Sequence, residues 1–151
     1  MKLKLEFRLG ELSLTKDELG WTELESRTVQ PLPAPAAVAP QDLDVLSMAA
    51  AGFNGKEERS LSDSRTQLVG SAFNGVYAVD KAWLEYFAAV PQDKLNALCG
   101  AWCDEINELF MDVGIQPDEE LCGFLHNLQA HCKQALAEEK LLVQLWSFSK
   151  E

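Results

Sequence analysis

No lysine or arginine occurs between Lys94 and Lys133. A surface for phosphate groups or anionic lipid needs clustered cations, so this stretch cannot supply one. The whole chain points the same way, with 13 basic against 24 acidic residues, a net charge of -11 and a pI near 4.6. Neither nucleic acid nor a membrane surface is expected as a partner. No apolar run approaches the roughly 20 residues needed to cross a bilayer. The opening Met1-Lys2-Leu3-Lys4-Leu5 interleaves charge with leucine, unlike the continuous apolar stretch of a secretion signal. A cytoplasmic location is the expectation.

Catalytic signatures are absent too. The two histidines, His126 and His131, lie five apart on one expected helix, and neither has an identifiable serine partner for a Ser-His-Asp arrangement. No Gly-x-Ser-x-Gly, P-loop or dinucleotide motif is found. No enzyme activity and no cofactor are expected. Cys99, Cys103, Cys122 and Cys132 all fall on expected helices of one segment, whereas a small secreted scaffold spreads its cysteines through loops. They read as reduced thiols.

What is present describes one domain over residues 1–151. With 47% hydrophobic and 25% charged residues, the chain has an ordinary globular composition, and a domain of this size buries roughly 70% of its unfolded surface. Leu3, Leu5, Phe7 and Leu9 alternate with Lys2, Lys4, Glu6 and Arg8, the period of a half-buried strand. Residues 11–15 read as a short return strand and Trp21 to Val29 as a third strand or sheet edge. The prolines at 31, 33, 35 and 40 make residues 30–41 an extended connector. Leu43 to Ala51 reads as a helix capped by Asp42 and closed by Gly52.

Phe53-Asn54-Gly55 recurs as Phe73-Asn74-Gly75, which predicts two turns of positive φ, each anchored by a phenylalanine. The polar stretch between them gives residues 54–72 the character of a mobile loop. Asp80 caps a helix whose apolar side is Val79, Trp83, Tyr86, Phe87 and Val90. A longer helix carries Leu95, Leu98, Cys99, Trp102, Ile106, Leu109, Phe110 and Val113 on its buried stripe and ends at Gly114. Pro117 and the acids Asp118, Glu119 and Glu120 open its antiparallel neighbour, whose stripe is Leu121, Phe124, Leu125, Leu128, Cys132, Ala135 and Leu136. Leu141 to Phe148 is a buried strand that rejoins the first. The class is α+β: a small, mostly antiparallel sheet from the N-terminal strands and the C-terminal strand, packed against a C-terminal helical pair and one or two shorter helices.

Two constellations carry chemistry. Cys99 and Cys103, spaced i,i+4, face a second i,i+4 pair, Cys122 and His126, on the neighbouring helix, a spacing able to present three thiolates and an imidazole to zinc. Small buried thiols are common core fillers, and Cys99 lies in the apolar stripe while His126 lies outside it, so packing is the expected role and no metal is assigned. The second constellation is acidic. Asp104, Glu105, Glu108, Asp112, Asp118, Glu119 and Glu120 occupy the cation-free window, and Asp104, Glu108 and Asp112 follow an i, i+4, i+8 row along one outward helix stripe. Each like-charged pair at that spacing costs a helix about 0.2–0.5 kcal/mol, and a convex row does not enclose a substrate.

An acidic surface aids solubility, but residues 80–120 carry ten acids against Lys81 and Lys94, a concentration that solubility leaves unexplained. The reading is therefore a partner-binding face for a basic protein, able to speed association and occlude a site built for phosphate or RNA. Small size, acidity and a carboxylate row look like those of antitoxin and immunity inhibitors, in composition alone. The alternatives are a homo-oligomeric scaffold using Trp21, Trp146 and the Pro-rich crossing, or an enzyme with a site assembled around Tyr77, Asp80 and the loop from Lys56 to Arg65.

Overall fold

The structure, a computed structural model, describes residues 2–16, 18–111 and 113–149. The outermost sequence segments meet at its centre. β1 (Lys2–Gly10) and β5 (Leu141–Ser149) pair antiparallel along their full length, from Lys2 opposite Ser149 to Gly10 opposite Leu141. β2 (Thr28–Pro33) flanks β1, and the hairpin of β3 (Arg65–Gly70) and β4 (Asn74–Val79) flanks β5. The five-stranded order is β2-β1-β5-β4-β3, antiparallel throughout. The α+β architecture read from the sequence is the architecture found.

Strand alternation sorts the side chains between two layers. Leu5, Phe7, Leu9 and Leu142 join the large core beneath the helices. Val76, Val143 and Leu145 form a smaller core on the opposite face, closed by Leu14 and Leu24. Glu6 and Arg8 share that second face. Their ion pair is 3.0 Å long, and Arg8 Nη1 donates to the Glu25 carbonyl at 3.1 Å, tying the strand to the segment that covers it.

That covering segment corrects two expectations. Residues 12–15 form a 3₁₀ turn instead of a return strand, because Leu14 donates to the Glu11 carbonyl and the Thr15 hydroxyl to that of Leu12, closing bonds locally. Trp21 to Val29 divides into α1 (Trp21–Ser26), which buries Leu24, and the start of β2. β2 thus begins at the end of the stretch expected as a strand or edge and runs on into the expected connector, as far as Pro33. Pro31 and Pro33 are tolerated because β2 is an edge strand, where a missing N–H is not needed by a neighbour. Residues 54–72, expected as a loop, contain a 3₁₀ turn at Ser62–Ser64 and all of β3.

Four helices cover the large core. α2 (Pro40–Asn54) begins earlier and ends later than its sequence limits. Ala39 is its N-cap and Pro40 its first residue, where proline's fixed φ suits a helix start. Asp42 instead sits one turn in, its carboxylate accepting from the Ala39 N–H at 2.8 Å. α3 (Lys81–Ala88) follows Asp80, α4 spans Leu95–Leu109, and α5 spans Glu119–Glu138. Trp83 and Trp102, both fully buried, donate to Ser47 Oγ at 3.1 Å and the Asp42 carbonyl at 2.7 Å. Gln129 of α5 donates to the Val90 carbonyl at 2.7 Å. These three buried side chains thus join separate segments of the chain and have their polar groups satisfied.

The repeated Phe-Asn-Gly serves two purposes. Gly55 closes α2 at φ 70°, a left-handed cap, with Phe53 packed on the core. Gly75 lies in β4, outside positive φ, where no Cβ fits against Trp146 Nε1. Phe73 is exposed at the hairpin tip and anchors nothing there.

Candidate partner-binding face

The acids converge where α4 ends and α5 begins. Asp104, Glu105 and Glu108 are exposed on the second half of α4. Asp118 caps α5, its Oδ1 accepting from the Leu121 N–H at 2.9 Å, and Glu119 and Glu120 are exposed in the first turn. Asp104 on α4 and Asp118 at the start of α5 both add to the upward push that burial gives the Cys103 thiol. Asp112 lies outside the described residues, and α4 itself ends at Leu109, so Asp104 and Glu108 are the described members of the expected row.

The two groups of acids differ energetically. Asp118, Glu119 and Glu120 complement the positive end of the α5 dipole, whereas Glu108 stands in the last turn of α4 with no basic residue to offset the negative end. None of these acids forms an ion pair with a described residue; the ion pairs resolved there join Arg8 to Glu6 and Lys140 to Glu11 and Glu138. An open groove of about 660 Å³ runs from Pro33, Ala34 and Pro35 to Glu119 and Glu120.

The loop between the helices holds the feature that periodicity misplaced. Leu109, Phe110 and Val113, expected on the buried stripe of a longer helix, are 52%, 39% and 59% exposed, and Met111 is 89% exposed. The helical ladder stops because Phe110 leaves helical geometry and Met111 turns left-handed at φ 58°. Asn107 then fastens the returning chain: Oδ1 accepts from Gly114 N at 2.9 Å and Ile115 N at 3.1 Å, and Nδ2 donates to the Ile115 carbonyl at 3.0 Å. The signal available in sequence was Asn107 itself, a side chain suited to capping backbone groups at a helix end.

Cys99, Cys103 and Cys132 are buried. Burial pushes the Cys99 thiol well up, and contact with the Cys122 and Cys103 thiols adds to it. Cys122 is half-buried and leans on the Pro117 carbonyl at 3.5 Å. His126 turns elsewhere, its Nε2 3.0 Å from Asn96 Oδ1. Among the described residues no three His, Cys, Asp or Glu side chains are placed to hold a metal ion.

Tyr77 lies under the Arg65 guanidinium at 3.8 Å, and Arg65 donates to the buried Gln144 at 2.5 Å. Asp80 is an exposed helix cap. Trp146 and Trp21 are half-buried, one against each core, and Trp146 meets the exposed Phe148 edge to face. Among the described residues no helix is long and apolar enough to cross a membrane. No protein-family model, curated protein or solved structure matches the chain.

Proposed function

We propose that this chain is a protein-binding inhibitor of the antitoxin or immunity kind, acting in the cytoplasm on a basic partner through the acidic end of the α4–α5 pair. The observation that carries the reading is the gathering there of exposed, unpaired carboxylates in a window without a cation. An anionic face of this type steers a basic surface into encounter and covers residues that would otherwise hold phosphate. The Glu108 position supports it further, since that carboxylate is unfavourable for its own helix.

The test is capture from native lysate with the parent chain and with a Glu105→Lys/Glu108→Lys/Glu119→Lys variant, at low and high salt. The parent is expected to retain one stoichiometric basic protein that salt weakens and charge reversal releases. Retention of the same protein by the reversed variant would remove the acidic face from the account.

A further inference from the structure

We propose that the exposed apolar side chains of Leu109, Phe110, Met111 and Val113 are the docking point, inside the acidic rim, for a basic protein segment that carries apolar side chains among its lysines and arginines. This rests on the acidic-face reading and adds the contact that gives it specificity. Charge brings partners together, but desolvated apolar anchors at the centre of a patch supply most of the energy that holds them.

Leu109, Phe110, Met111 and Val113 make four of the nine large hydrophobic side chains that stand exposed among the described residues, all within five consecutive positions. Scattered single apolar residues on a surface need no explanation, whereas a contiguous patch rimmed by polar groups marks an interaction site. The patch is also held out, not merely left out. Asn107 secures both sides of the Gly114–Ile115 link, and Met111 adopts a backbone conformation that side chains with a Cβ avoid.

The rim decides the occupant. Asp104, Glu105 and Glu108 approach the tip along α4, and Asp118, Glu119 and Glu120 flank the return into α5. A second copy docking symmetrically would bring the same carboxylates against themselves, and anionic lipid would meet the same repulsion. A cationic segment with apolar side chains satisfies both parts of the surface.

Two synthetic peptides of equal charge separate the contributions: an amphipathic Lys-Leu peptide and a Lys-Ser peptide, each titrated calorimetrically into the full chain at low salt. The Lys-Leu peptide is expected to bind at least tenfold more tightly. A Met111→Ser/Val113→Ser variant, both positions being exposed, should keep the parent's melting temperature, lose that advantage and bind Lys-Ser unchanged. Equal affinity for the two peptides in the parent, or an advantage that survives the double substitution, would overturn the apolar anchor while leaving the acidic face intact. Failure of both peptides to bind would overturn the acidic-face reading and the anchor with it. A parent chain that sediments as a dimer and a double variant that sediments as a monomer would also overturn the proposal, assigning the tip to self-association.

Discussion

Asp42 shows how one carboxylate can serve a helix and burden a core together. It accepts from the Ala39 N–H, yet it is 6% exposed, and burial raises its pKa above the ordinary carboxylate value, with the Ala39 bond opposing the rise. The folded protein therefore holds this proton more tightly than the unfolded chain. Stability linked to Asp42 is greatest below the unfolded value of about 3.9 and falls as pH rises through the window up to the folded value, so the full penalty stands at neutral pH. Asp42→Asn keeps an acceptor for Ala39 without the charge, and is expected to equal or exceed the parent in urea unfolding at pH 7. Its advantage should vanish near pH 4. Asp42→Ala, which removes the acceptor, should cost about 1 kcal/mol near pH 4 and less at pH 7, where it also removes the buried charge.

At the scale of elements, what was legible in the sequence depended on whether one periodicity ran uninterrupted. β1 alternates over its whole length and β5 is apolar on both faces, so both were readable, and their pairing followed from the need to bury them. The stripes of α4 up to Ile106 and of α5 were equally plain. Where a local bond overrides the pattern, reading failed. Phe110 and Val113 keep helical spacing but leave the helix, which ends at Leu109, because Asn107 captures the chain beyond it. β2 was hidden by its prolines, and its pairing with β1 is supplemented from outside the sheet: the Gln30 carbonyl lies 2.9 Å from His131 Nε2, and Gln134 Nε2 donates to Gln30 Oε1 at 2.8 Å. The acids of the candidate face were readable by composition, but the apolar tip among them was not. Asn107→Ala should lower stability by about 1–3 kcal/mol, because it leaves partly buried backbone groups of the returning chain without partners. Amide hydrogen exchange at Gly114 and Ile115 should rise by more than exchange in β1 or β5.

The molecule as a whole carries its charge unevenly, and a net -11 makes the compact state repel itself. Added sodium chloride, by screening that repulsion, is expected to raise the midpoint of thermal unfolding at neutral pH; a midpoint that falls with salt would mean that attractive ion pairs outweigh the repulsion. Both sheet edges are poor templates for another strand. β2 carries Pro31 and Pro33, and β3 breaks register between Gln67 and Val69, two devices that discourage strand addition.

The full-length pairing of β1 with β5 bears on how the chain is made. A ribosome releases β1 well before its long-term neighbour Leu141–Ser149. Until then Leu5, Phe7 and Leu9 have only the proline-bearing β2 beside them, and the β3–β4 hairpin has no strand to join it to the rest. The sheet closes after synthesis has passed Ser149, in a step of large loop closure. During translation, β1 must be kept out of foreign contacts until Leu141–Ser149 has emerged.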